Sequence, residues 1–74
     1  MNWESPQRPA ELTESRLIAA LLDGTLPINS QLPAERELSD QLGVTRPTLR
    51  EALQRLGRDG WLEIHQGKPT RVRN

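Results

Sequence analysis

The chain has 74 residues, 34% of them hydrophobic and 27% charged, with no cysteine and a formal net charge of zero. That length makes one small domain, in the range where a single core supplies only about a few kcal/mol of net stability. No apolar run approaches the ~20 residues that span a bilayer, the polar start MNWESPQRP does not have the form of a secretory signal, and without cysteine there is neither disulfide nor thiolate chemistry, which fits a cytoplasmic protein.

Residues 1–8 contain Pro6 and read as an extended, flexible arm. A first helix over about residues 10–23 begins near Pro9 or Ala10, because proline fits an opening turn. Leu12, Leu17, Ile18, Leu21 and Leu22 recur along it at helical spacing, and Gly24 stops it. Pro27 and Asn29 follow in a loop, and Ser30-Gln31-Leu32 is long enough for a minimal strand that pairs with a later hairpin. Pro33 opens a second helix, Ala34 to Leu42, with Leu38 and Leu42 as an apolar pair, and Gly43 has the place of a C-terminal cap.

Val44 then plugs the turn, and the Thr45 hydroxyl caps a third helix from Arg46 to about Arg58. At helical periodicity Leu49, Ala52, Leu53 and Leu56 share one face, while Pro47, Arg50, Glu51, Gln54 and Arg58 lie on the other. Asp59-Gly60 ends this helix. Trp61 to His65 alternates apolar and polar as a half-buried strand does, Gln66-Gly67-Lys68-Pro69 forms a tip, and Thr70 to Arg73 returns with Val72 inward. Leu62, Ile64 and Val72 are expected to complete the core, with Trp61 at the base of the hairpin.

The sum is a mainly α fold with a small β-hairpin, a winged helix-turn-helix over residues 9–74. Its charge is unevenly placed. From Met1 to Ser30 there are two basic residues, Arg8 and Arg16, against four acidic ones. From Val44 to Asn74 there are seven basic residues (Arg46, Arg50, Arg55, Arg58, Lys68, Arg71, Arg73) against three acidic (Glu51, Asp59, Glu63). The positive end coincides with the third helix and the hairpin, the elements that such a fold offers to double-stranded DNA.

At these residues the chain resembles the GntR family of bacterial transcription regulators. The family's Leu-Pro-small-Glu-Arg-Glu-Leu is met by Leu32 to Leu38, its Gly-Val-Ser/Thr-Arg by Gly43 to Arg46, and its Leu/Val-Arg-Glu-Ala-Leu by Leu49 to Leu53. Within the family, RLGRDGWLEI and the GKPT hairpin are most similar to the fatty-acid-responsive (FadR) subgroup, since most members have glycine where Pro69 stands. Two positions depart from the pattern. The usual Pro-Pro-Gly loop is Pro27-Ile28-Asn29, with asparagine the next best residue for a left-handed conformation. The subgroup's minor-groove histidine, immediately before the wing glycine, is replaced by Gln66, and His65 lies one position earlier on a different side of the strand.

The candidate DNA-binding residues are Arg36, Thr45, Arg46, Pro47, Thr48, Arg50, Gln66, Gly67 and Lys68. Arg46 and Arg50 stand one turn apart at the end of the third helix that enters the major groove, where a guanidinium can grip guanine O6 and N7. The alternative is a pair of surface arginines bonded to Glu51 or Glu37. Arg36 matches a family position that also reaches the operator; its alternative is an ion pair with Asp40.

Thr45 and Thr48 lie beside a helix N-terminus that favours a phosphate, and Thr45 is equally a helix cap. Pro47 either touches a thymine methyl or only initiates the helix. In the wing, Gly67 permits close backbone approach, and Lys68 is a point charge for a phosphate or the minor-groove edge. Arg71 and Arg73 either add nonspecific attraction or form a solvated strand face.

Catalysis and metal binding have little support. His65 is the sole histidine and has no cysteine beside it, which leaves neither a zinc site nor a nucleophile triad. Trp3 and Trp61 are the only aromatic residues, too few for the stacking platforms of RNA or single-strand binders. The competing reading is a winged helix used as a protein-interaction module. The resemblance implies a homodimeric parent on a palindromic operator with GT and AC outer dinucleotides, located in the cytoplasm on the bacterial nucleoid. It also implies a C-terminal domain, outside the residues read here, that dimerises and binds a small effector such as a fatty acyl-CoA. This domain itself calls for no cofactor, and alone it is expected to be monomeric.

Overall fold

A computed structural model describes residues 9–65 and 67–73. The elements run α1 (Pro9–Leu22), α2 (Glu35–Leu42), α3 (Arg46–Arg58), β1 (Leu62–Glu63) and β2 (Arg71–Val72), the order of a winged helix-turn-helix. The expected arm, residues 1–8, lies outside the described residues.

Helix α1 starts at Pro9, whose missing N–H would have had no helical partner. Its inward stripe is Ala10, Thr13 and Leu17, and the buried Thr13 hydroxyl is satisfied by donating to the Pro9 carbonyl at 2.8 Å. Leu12 and Leu22, expected on the apolar stripe, are instead 50% and 73% exposed. Each is five residues from Leu17, about 140° around the helix, and therefore points away from the packed face.

Helix α2 begins at Glu35, one residue later than expected, with Ala34 in the cap position and no side-chain cap. Gly43 closes it in the left-handed conformation, φ 69°, a backbone state glycine adopts without a Cβ penalty. The Val44 N–H then reaches the Ser39 carbonyl at 3.1 Å. The Arg16 guanidinium adds a hydrogen bond to the Leu42 carbonyl at 2.7 Å, placing positive charge at the negative end of α2.

The core lies where α3 crosses the other elements. Leu49, Ala52 and Leu56 of α3 are 0% exposed; Leu49 and Leu56 pack with Leu17, Leu32, Leu38, Leu62 and Val72, while Val44, Leu53 and Trp61 flank them half-buried. Burying a leucine of this kind contributes about 1.5–3 kcal/mol. An ion pair from Arg55 Nε to Glu14 Oε2, 2.9 Å, ties the last turn of α3 to α1.

The sheet pairs Leu62 with Val72 and Glu63 with Arg71, antiparallel. The minimal third strand expected at Ser30 to Leu32 is present as a bridge between Gln31 and Arg71. It is supported by hydrogen bonds from Val72 N–H to Ser30 O and from Leu32 N–H to Thr70 O, both 2.8 Å. Asn29 takes φ 71°, the left-handed state expected of it in place of glycine, and its N–H bonds the Val72 carbonyl at 2.9 Å.

Ile64 corrects the expected core. The ladder ends at Glu63, and Ile64 is 46% exposed. Its side chain reaches past the edge of the core to cover Gly57 of α3, where an added Cβ would stand 2.8 Å from Ile64 Cδ1. Trp61 is half-buried at the base of the hairpin, its N–H on the Leu56 carbonyl at 3.0 Å and its carbonyl accepting from Arg73 N–H at 2.9 Å.

Candidate nucleic-acid interface

The tight turn between α2 and α3 brings the N-terminal turns of both helices to one side of the molecule. At the head of α3 the Thr45 hydroxyl accepts from Thr48 N–H at 3.3 Å and donates to the Thr48 hydroxyl at 3.0 Å. The cap uses one free N–H of the first turn; Pro47 has none to offer. Arg46, Pro47 and Arg50 are exposed; Pro47 and Arg50 lie on the side of α3 turned away from Leu49, Ala52 and Leu56, with Arg46 at its edge. The burial of one face thus turns the arginines outward.

Arg50 is not a freely solvated cation. Its Nε lies 3.0 Å from both carboxylate oxygens of Glu35, and its Nη2 is 2.9 Å from Glu35 Oε1. Glu35 is the first residue of α2, so the contact spans the helix-turn-helix. The hydrogen bond from Arg50 holds the Glu35 carboxyl below its usual range, against a smaller desolvation effect, with the charges of Arg50 and Arg46 adding to the lowering. The same hydrogen bond raises Arg50. The partners considered from sequence, Glu51 and Glu37, are not the ones used. Glu37 lies on the far side of α2 from Leu38 and Leu42, whereas Glu35 continues their face by one turn.

Arg36 is exposed in the first turn of α2 and makes no ion pair with Asp40 among the described interactions. It therefore stands beside Glu35 as an available cation.

The wing approaches the same side. Lys68 and Pro69 line a groove of about 510 Å³ with Glu35 at the start of α2 and Leu53 of α3, so the wing tip and the arginine-bearing turn border one surface. Gly67 has φ 75°, and the Lys68 N–H closes the tip onto the His65 carbonyl at 3.3 Å. Gln66 lies outside the described residues. His65 is drawn back along the strand by a contact from Nε2 to Glu63 Oε1 at 2.9 Å, with Arg71 paired opposite Glu63.

Arg36 of α2, Thr45, Arg46, Pro47, Thr48 and Arg50 at the head of α3, and Gly67 and Lys68 of the wing thus fall on three neighbouring elements. Arg55, counted in the local positive excess, is instead a strut to Glu14. The residue that sequence reasoning passed over is Glu35. Its one legible signal is its position, three residues before Leu38 and so on the α2 face that meets α3. Among the described residues no group of histidines and carboxylates is gathered to hold a metal ion.

Residues 9–72 match the model of the bacterial regulatory proteins of the gntR family. The chain belongs to the GntR family. Known proteins similar to this GntR-family domain include a fatty acid metabolism regulator protein of Pasteurella multocida (strain Pm70), 53% identical over the whole of this chain and 32% of its own length. A protein of the same name from Shewanella baltica (strain OS155) is 59% identical over 89% of this chain and 28% of its own. The chain therefore spans about a third of the length of the curated relatives it matches. Among solved structures, the AraR DNA-binding domain in complex with operator ORR3 superposes with a TM-score of 0.86 at 28% identity, covering 97% of this chain and 87% of that one.

Proposed function

We propose that this domain reads operator DNA for a bacterial transcription regulator, with α3 in the major groove and wing residues 66–68 in the adjacent minor groove. Sequence-specific DNA binding is supported by its GntR-family membership and by its likeness to a DNA-binding domain solved on operator DNA. The observation that carries the placement is the exposure of Arg46 and Arg50 on the first turns of α3, whose other face is fully buried. Thr45 and Thr48 stand at the end of the helix where free N–H groups attract a phosphate. Lys68 supplies a charge on the wing, and Arg36 a second flank. Pro47 offers only apolar surface, suited to a thymine methyl.

The role is binding rather than catalysis, carried out in the cytoplasm on nucleoid DNA. The curated relatives are named fatty acid metabolism regulators; the parent protein is proposed to answer to a small effector, such as a fatty acyl-CoA, bound outside the present residues. A homodimeric parent suits a palindromic operator, each half-site taking one copy of this domain. Tethering two such weakly binding modules raises their effective concentration on the site.

The test is fluorescence anisotropy with a duplex selected by the domain from a randomised pool, against a scrambled duplex, at two salt concentrations. Binding should weaken with salt, and Arg46→Ala should cost about 1–3 kcal/mol on the selected duplex while narrowing its advantage over the scrambled one. Failure of a covalently dimerised domain to bind either duplex at low salt would replace this reading with a protein-interaction module.

A further inference from the structure

We propose that Glu35 is a specificity-determining residue: its carboxylate grips the side edge of Arg50, so that the guanidinium presents its remaining edge to a base while its charge is withheld from phosphates. The inference rests on the DNA-reading assignment above and deepens it.

A guanidinium has five N–H donors in a fixed fork. The Glu35 contact uses the Nε–H and one proton of Nη2. The two protons of Nη1 and the second proton of Nη2 remain, and one from each nitrogen forms the end-on pair that matches guanine O6 and N7. The carboxylate therefore leaves the base-reading edge open while removing the freedom of an exposed side chain to swing toward neighbouring phosphates. It also neutralises the cation locally, and a neutral pair draws DNA of any sequence less strongly than a bare arginine.

Fold stability does not account for the contact. Both side chains are substantially exposed, 57% for Arg50 and 34% for Glu35, and ion pairs in such positions add little to stability. What the contact does supply is alignment across the turn between the two helices, 15 residues apart in sequence. Arg46, close enough for its charge to act on Glu35, shares the field but not the hydrogen bonds.

The experiment is a double-mutant cycle over the wild-type chain, Glu35→Gln, Arg50→Ala and the double variant. Each is titrated onto the selected and scrambled duplexes across a salt series, with circular dichroism verifying the fold. Glu35→Gln keeps the size and surface position of the side chain, and Glu35→Ala serves as a second variant with the same expected outcome. With Arg50 released, the salt slope on the scrambled duplex should steepen by about 0.9, the gain of one phosphate contact. Preference for the selected duplex should fall by about tenfold, the scale of one base contact loosened. In the Arg50→Ala background Glu35→Gln should change neither quantity.

Wild-type preference and slope retained in Glu35→Gln would overturn the proposal. So would a loss of preference of equal size with and without Arg50, which would make Glu35 a structural residue. A wild-type chain with no preference would overturn the DNA-reading assignment itself, and that is seen before any Glu35 variant is compared.

Discussion

Helix α3 and the wing border the same surface, yet they are held in different ways. Leu49, Ala52 and Leu56 fix α3 by complete side-chain burial, and Arg55 braces it against α1. The wing has two residue pairs of ladder, anchored at its base by the buried Leu62 and Val72; beyond them it depends on main-chain hydrogen bonds to Ser30, Leu32 and Trp61, with the half-exposed Ile64 resting on Gly57. The difference teaches where discrimination should reside. Reading a base edge needs donors held in register, which a buried helix provides, whereas a point charge near a phosphate works from a looser support.

The largest break in this comparison is expected from Leu56→Ala. It empties a fully enclosed site at the crossing of α3 with α1 and β1 and should cost about 2–5 kcal/mol. In a domain of this size that is most or all of the net stability, so the far-ultraviolet dichroism should show the whole fold melting at a much lower temperature. Ile64→Ala should be mild by comparison, because that side chain is already 46% exposed. A large cooperative loss from Ile64→Ala would mean that the wing is as deeply anchored as α3.

The same contrast separates what was legible in the sequence from what was not. Helix periods, the Gly43 stop, the Thr45 cap and the left-handed Asn29 are local, and each could be read from a few neighbouring residues. The third helix has its expected span, Arg46–Arg58. Periodicity tells which face points inward but not how far the core extends, and so it placed Leu12, Leu22 and Ile64 too deep. The partner of Arg50 was hidden for a different reason. Glu51 and Glu37 look near in sequence, but the crossing of two helices decides which carboxylate arrives, and that crossing is set by packing of Leu38, Leu42 and Leu49. Most of the described candidate residues were legible as near neighbours because they sit on two short segments, 45–50 and 67–68, with Arg36 apart on α2; the control exerted by Glu35 was not.

A smaller effect should come from Thr45→Ala, which removes the acceptor for Thr48 N–H. The cap is worth about 1 kcal/mol, read as a shift of the urea midpoint with unchanged slope. Because the same turn carries Arg46, the loss belongs to the α3 side of the comparison. A Thr45→Ser variant should recover most of the stability by restoring the hydroxyl; failure to recover it would locate the effect in the lost methyl group rather than in the cap.

The wing should answer in another currency. Lys68→Ala is expected to leave thermal stability unchanged and to weaken selected and scrambled duplexes in equal proportion. The salt slope should become shallower by about 0.9 on both, as one phosphate contact is lost. A fall confined to the selected duplex would instead make Lys68 a reader of sequence, and the division of labour between helix and wing would fail.

The smallest expected effect sharpens the comparison at the base of the tip. The hydrogen bond from His65 is the main influence holding the Glu63 carboxyl below its usual range, against a smaller desolvation effect, with the charges of His65, Arg73 and Arg71 adding to the lowering. A carboxyl lowered in the folded state contributes stability that is present above its unfolded pKa and is lost as pH falls through the folded value. The contribution of Glu63 should therefore be lost as pH falls below the ordinary carboxylate range, through its lowered folded value. Since both side chains are about half exposed, 51% for His65 and 45% for Glu63, solvent screening keeps that contribution small. The sensitive observable is the carboxyl carbon resonance of Glu63 in a pH titration. Its midpoint should lie below that of an unpaired glutamate and rise in His65→Ala, yet not the whole way, because Arg71 and Arg73 remain. A midpoint unmoved by His65→Ala would mean that the arginines of the return strand, not the histidine, hold this edge of the wing.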